Sequence, residues 1–139
     1  MFGDLIYNAK RPYCIVLTHI PEQFSDAKYI NLETFRKNGV EVKTPVWFVT
    51  YNDLIYVITR EHTGKVKRLR NNSKVRICSS SFNGKPKGEW ISGNATLVEG
   101  EVAKNAISLR KKKYGIKAML AGFMTRAKGN SLVYSIKLD

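Results

Sequence analysis

From Tyr29 onward, apolar residues recur with the period of strands, and the runs end on turn formers. YINLETF (29–35) carries Ile30, Leu32 and Phe35 in loose alternation, and RKNG (36–39) then places Asn38-Gly39 where a hairpin would turn. VEVKTPVWFVTY (40–51) is rich in β-branched and aromatic residues. Pro45 within it predicts an edge position or a bulge, because proline donates nothing to a sheet ladder. Asn52-Asp53 makes the next turn and LIYVIT (54–59) returns, so three tightly joined strands predict a meander.

The period then changes. GKVKRLRNN (64–72) sets Val66 and Leu69 three apart, which suits one or two turns of helix with basic side chains fanned outward. SKVRICSSS (73–81) reads as a strand, FNGKPKG (82–88) as a loop and EWISGNATLVEG (89–100) as a strand. In the last of these, Trp90, Ser92, Asn94 and Thr96 alternate with Ile91, Gly93, Ala95 and Leu97. EVAKNAISLRKKKYG (101–115) predicts a helix with Val102, Ala106 and Leu109 on one face, closing at Gly115. A helical or irregular piece, KAMLAGFMTRAKGN (117–130), leads to SLVYSIKL (131–138), where Leu132, Tyr134, Ile136 and Leu138 alternate along a final strand.

The start of the chain is less legible. PYCIVLTHI (12–20) fits a strand or a helical arm, and PEQFSDAK (21–28) fits a short helix at most, with Pro21 in its first turn. No repeat or low-complexity linker divides the chain, so residues 1–139 read as one domain with an N-terminal arm over 1–27. Six or so strands, mostly in consecutive hairpins, with helices between them, predict a mainly β, α+β fold: a small antiparallel barrel with attached helices.

Composition adds one strong feature. A chain of 139 residues can bury a core without disulfide or metal. Its 24 Lys and Arg against 11 Asp and Glu, a formal charge of +13, call for anionic partners: nucleic acid, an acidic membrane surface or a phosphorylated small molecule. Cys14 and Cys78 lie among apolar neighbours, which predicts buried free thiols and a reducing, cytoplasmic setting. Asp4, Asn8, Lys10 and Arg11 interrupt the early apolar runs, so no signal peptide is expected. No stretch approaches the ~20 apolar residues of a membrane helix, and a soluble protein is expected. There is no Walker motif, no GxGxxG and no metal-ligand cluster, and His19 and His62 stand without acidic or cysteine company.

The densest basic segment is EHTGKVKRLRNN (61–72), with Lys65, Lys67, Arg68 and Arg70. A turn that opens a short helix offers free backbone N–H groups and a favourable dipole end to a phosphate. Thr63 and Gly64 stand at that turn, Lys65 supplies a point charge, and Arg68 follows one turn later with a planar fork. Taken from the residues alone, a solvated basic face is the commoner outcome for such a run.

Four motifs in order tip the balance: TPVWFV (44–49), IYVIT (55–59), TGKVKRLRNN (63–72) and GKPKGEWISGNATLV (84–98). On these the chain resembles the split β-barrel flavoproteins of the pyridoxamine 5'-phosphate oxidase-like superfamily, over roughly residues 28–139. More narrowly, it is similar to the branch of flavin- or deazaflavin-dependent reductases, which use FMN or coenzyme F-420. The resemblance implies that Val46, Trp47 and Phe48 run along the edge of the cofactor ring, largely through backbone. It implies that Lys65, Thr63 and Arg68 hold the cofactor phosphate beside Gly64, with Thr59 at the end of its strand a further contact. It also implies a homodimer with a cofactor in each interface site, and hydride transfer to or from a small-molecule substrate. No catalytic side chain is assigned, because the cofactor carries the chemistry. The chain lacks the C-terminal Arg- and Trp-containing segment of true pyridoxamine phosphate oxidases and ends in NSLVYSIKLD, which argues against vitamin B6 oxidation.

Two other classes compete with an oxidoreductase. A nucleic-acid-binding barrel draws on the charge, on KVKRLR and RKKKYGIK, and on Tyr51, Tyr56 and Trp90 as stacking candidates. A cofactor carrier without turnover has the same sequence signature as an enzyme. A further cluster, Arg110–Lys113 with Lys117, Arg126 and Lys128, fits either a channel for the anionic tail of F-420 or a solvated helix face.

Overall fold

The computed structural model describes residues 20–139; PYCIVLTHI up to His19, with Cys14 and His19, lies outside the described residues. A 3-10 turn at Glu22–Phe24 is all that forms of the short helix expected from PEQFSDAK. The strands are β1 (Tyr29–Phe35), β2 (Glu41–Val46), β3 (Val49–Tyr51), β4 (Leu54–Arg60), β5 (Lys74–Ser80), β6 (Ile91–Val98) and β7 (Ser131–Leu138). Three α-helices accompany them: α1 (Gly64–Asn71), α2 (Gly100–Tyr114) and α3 (Ile116–Met124).

All seven strands form one antiparallel sheet in the order β2-β1-β5-β6-β7-β4-β3. Its two edges, β2 and β3, belong to one stretch of chain interrupted only at Trp47 and Phe48. The expected meander is therefore broken in the middle. Residues 41–46 pair with β1, the chain bends, and residues 49–51 pair with β4. That bend joins the sheet's edges and makes this a split β-barrel. Pro45 is tolerated because β2 pairs on one side only, where it stands opposite Asn31.

Turn chemistry agrees with the sequence. Asn52 and Asp53 both take positive φ (50° and 63°), the geometry a two-residue hairpin demands. In the RKNG turn Gly39 alone is left-handed (φ 87°), and Arg36 closes the loop by donating its N–H to the Val40 carbonyl at 2.9 Å.

The barrel interior holds Ile30, Leu32, Ile55, Val57, Val75, Ile77, Tyr134 and Ile136, sealed by Phe24, Phe48 and the α1 residues Val66 and Leu69. On the outer face of β4 and β7, Tyr56 and Val133 pack against Ala106 of α2. The expected α2 stripe needs correction at its first member. Val102 is 48% exposed, while Ala103 packs inward with Ala106 and Leu109. The face turned to the barrel runs through 103, 106, 110, 113 and 114, so its second half carries Arg110, Lys113 and Tyr114 rather than apolar residues. Cys78 is a buried free thiol, as expected, and burial pushes its pKa up. Among the described residues no helix is long and apolar enough to cross a membrane.

Candidate functional site

Where the bend after β2 passes the end of β4, a cavity of about 320 Å³ opens. Pro45, Val46 and Trp47 form one wall, and Ile58, Thr59 and Arg60 form the second. Thr63 and Lys65 enter from the start of α1, Arg110 from α2, Ala121 and Gly122 from α3, and Thr125 from just past its end. Lys128, from the turn before β7, completes the cationic end, next to Ser131 at the start of that strand.

Local structure explains how Lys65 reaches this space. Thr63 is extended (φ −121°, ψ 158°), and its hydroxyl donates to the Arg60 carbonyl at 2.9 Å, turning the chain sharply out of β4 into α1. No side chain caps the helix, so its first-turn N–H groups keep their donor capacity. Val66 and Leu69 are drawn into the barrel, which places Lys65 against it and turns Lys67 and Arg70 to solvent. His62 donates its N–H to the Lys128 carbonyl at 2.7 Å, which brings the turn before β7 alongside α1. Desolvation, followed by the charges of Arg68 and Lys128, pulls the Lys65 pKa down. Among the described residues no carboxylate lines the cavity. The ion pairs among the described residues lie elsewhere, at Glu33 with Arg76 and Lys43, Glu61 with His62, and Glu101 with Lys104. A desolvated ammonium without a counter-ion is an anion-binding arrangement.

The structure brings Val46, Trp47, Thr59, Thr63 and Lys65 together on this cavity. Phe48, Gly64 and Arg68 stand off it. The Phe48 side chain is 1% exposed and meets the Phe24 ring edge-on at 6.2 Å. Its backbone is engaged too: the N–H donates to the Tyr114 hydroxyl at 3.1 Å, and the carbonyl accepts from Lys113 Nζ at 2.9 Å. Arg68 turns back to donate from Nε to Thr34 Oγ1 at 2.6 Å. Gly64 makes room for that guanidinium, since a Cβ there would lie 2.8 Å from Arg68 Nη1.

Arg60 and Tyr114 were not legible as site residues, and Arg110 and Lys113 were legible only as part of the basic cluster 110–113. Arg60 donates from all three nitrogens, to Thr125 Oγ1 (3.0 Å), the Gly129 carbonyl (3.2 Å) and the Gly122 carbonyl (2.6 Å), and so ties α3 and the following turn to β4. Tyr114 stacks on Trp47, the cavity wall. Lys113 holds its ammonium 3.7 Å from the centre of the Phe48 ring, and the desolvation lowers its pKa to about 8. The signal for α2 was helical spacing: 110, 113 and 114 continue the face that Ala103 and Ala106 begin. RKKK is thus split, with Arg110 turned in and Lys111 and Lys112 turned out.

The stacking surface expected of a nucleic-acid barrel is not assembled. Tyr56 is buried against α2, and the Trp90 ring is covered by Lys43 and Arg76, 5.4 and 5.1 Å from its centre. Only Tyr51 of the three is exposed.

No protein-family model matches the sequence, and no curated protein matches it. Solved structures do match. HutZ, the haem storage protein of Vibrio cholerae, superposes with a TM-score of 0.65 at 16% identity, over 82% of this chain and 83% of its own. A candidate 5-nitroimidazole antibiotic resistance protein from Bacteroides thetaiotaomicron gives 0.60 at 17% identity, over 82% and 74%. A candidate pyridoxamine 5'-phosphate oxidase from Listeria innocua gives 0.53 at 14% identity, over 81% and 84%. At these identities what is shared is the fold.

Proposed function

We propose that the chain is a flavin- or deazaflavin-dependent oxidoreductase that binds coenzyme F-420 or FMN in this cavity. The observation that carries the reading is Lys65: a partly buried ammonium, crowded by Arg68 and Lys128, beside an uncapped helix start and with no carboxylate among the described residues of the cavity lining. A phosphate satisfies all of these at once. Val46, Trp47 and Ile58 supply apolar and aromatic surface for a planar ring, and Thr59 borders it. The Thr63 hydroxyl serves a phosphate by exchanging the Arg60 carbonyl for it. Gly64 and Arg68 support the cradle from behind, and Phe48 anchors the bend that carries Trp47. When bound, the ring supplies hydride chemistry; the chain's residues bind it, orient it and exclude water. The likeness in fold to a candidate pyridoxamine 5'-phosphate oxidase supports the same reading.

The homodimer belongs to this proposal. Outward on α3, Ile116, Met119, Leu120 and Phe123 are 57–72% exposed on the helix whose other face closes the cavity, and a second copy would cover them. Sedimentation of the cofactor-loaded protein at micromolar concentration should give a dimer; a monomer sinks this part.

A second reading, cofactor carriage without turnover, is favoured by the likeness to a haem storage protein. Incubating the purified protein separately with FMN, riboflavin, F-420 and haem, then recording bound absorbance, tests both. FMN or F-420 should be retained and riboflavin retained far less. A Soret band with no flavin retention would transfer the protein to the haem class.

A further inference from the structure

We propose that Arg110 forms a second anion subsite in the cavity, receiving the carboxylate of the organic substrate while Lys65 holds the cofactor phosphate. The substrate class rests on the reading above, whereas the subsite stands on the geometry of Arg110 itself. Arg110 lines the cavity from the inward face of α2, and its buried Nε has no hydrogen-bond partner among the described residues. A buried N–H left unpaired is rare in a folded chain and destabilising, the more so on a charged group. The neighbour that acts on it is another cation: burial first, then the charge of Arg60, lowers the Arg110 pKa.

Arg60 is committed elsewhere, with three of its five N–H groups donated to Thr125, Gly129 and Gly122. It adds positive potential and leaves the free donor to Arg110. Among the described residues no carboxylate lines the cavity to neutralise the pair. Nε itself is closed to solvent, so a ligand anion acts through the terminal guanidinium nitrogens and neutralises the charge that water leaves in place.

This subsite is separate from the phosphate cradle. The charges that act on Lys65 are Arg68 and Lys128, and the charge that acts on Arg110 is Arg60. Lys65 and Lys128 thus face the cavity from α1 and the turn before β7, and Arg110 and Arg60 from α2 and β4. A planar guanidinium edge matches a carboxylate in two parallel hydrogen bonds, which a point-charge lysine does not. Trp47, Val46 and Ile58 offer apolar surface in the same cavity. The chemistry selected is an electron-poor, aromatic-sized acceptor bearing a carboxylate.

The experiment compares 4-nitrobenzoate with its neutral isostere 4-nitrobenzamide, by calorimetry, on the full chain without flavin and again with FMN saturating. The wild type should prefer the carboxylate by at least tenfold in both states. Arg110→Gln and Arg110→Met should abolish that preference while leaving FMN affinity within about twofold, and Arg110→Lys should retain part of it. Because Arg110→Met removes an unpaired buried donor, its melting temperature should not fall, so it serves if the glutamine variant folds poorly. Equal affinity for the two probes, no binding of either, or a preference that survives in Arg110→Met would overturn the proposal. Failure of FMN to bind, with the carboxylate preference intact in the flavin-free arm, would instead overturn the cofactor reading alone.

Discussion

Tyr114 lies flat on Trp47, with ring centroids 4.4 Å apart and planes 8° from parallel. Its hydroxyl also bridges the bend, donating to the Lys28 carbonyl at 2.7 Å and accepting from the Phe48 N–H at 3.1 Å. One side chain at the end of α2 therefore fixes both the break between β2 and β3 and the aromatic wall of the cavity. Its environment pushes the phenol up to about 12, mainly by desolvation.

This pair can be dissected. Tyr114→Phe keeps the stack but strands the Phe48 N–H, and should cost about 1–2 kcal/mol in urea unfolding. Tyr114→Ala removes the stack as well and should cost about 3 kcal/mol. Only the alanine variant should also free Trp47, raising its solvent quenching by acrylamide. Equal losses from the two would mean that the hydroxyl alone holds the bend.

The cradle is tested by position. Lys65→Ala should weaken FMN or F-420 binding at least tenfold, matching a loss of roughly 1.5–3 kcal/mol for a charge-assisted contact to a phosphate. Lys67→Ala and Arg70→Ala, on the solvated side of α1, should change it little. Titration of the three variants at fixed ionic strength decides. Similar losses from all three, with one shared salt dependence, would describe a polyanion arm instead.

Stability should respond to alkali through two opposed groups. The Lys113 pKa falls from 10.5 to about 8 in the folded chain. Between those values the unfolded chain holds more protons, so stability rises with pH from about 8 towards 10. The Tyr114 pKa is raised from 10.0 to about 12, so above 10 the unfolded chain loses its proton first and stability falls. Lys113→Met should flatten the rise and leave the fall. A wild-type profile flat from 8 to 10 in urea midpoints would contradict the first half.

A last prediction concerns Glu33, fully buried on β1 and held by Arg76 through Nε at 2.6 Å and Nη2 at 3.1 Å, with Lys43 at 3.8 Å. Arg76→Met strands a buried carboxylate and should cost about 2–3 kcal/mol, since Lys43 remains to screen it. The double variant Glu33→Leu with Arg76→Met should recover much of that loss. A double variant no more stable than the single one would show that the pair contributes net stability.

What the sequence alone determined was local. Alternation fixed the strands, Asn38-Gly39 and Asn52-Asp53 the hairpins, Gly115 the end of α2, and the three-residue spacing of Val66 and Leu69 the short basic helix. These follow from nearest-neighbour sterics and one-dimensional periodicity, which a chain carries without its fold. That spacing was read with all its basic side chains fanned outward, whereas in the fold Lys65 lines the cavity and Lys67 faces solvent.

Tertiary structure decided the rest, because the deciding contacts join residues far apart in sequence. Nothing between Glu41 and Tyr51 shows that its two halves pair at opposite edges of one sheet; closure of the barrel requires it. Arg68 has the sequence position of a phosphate ligand, yet its hydrogen bond goes to Thr34, a partner only the fold supplies. RKKK reads as four equivalent charges until α2 docks through Ala103 and Ala106 and turns Arg110 and Lys113 against the barrel. Desolvation is a property of that docking, and it is what distinguishes a binding cation from a solvated one.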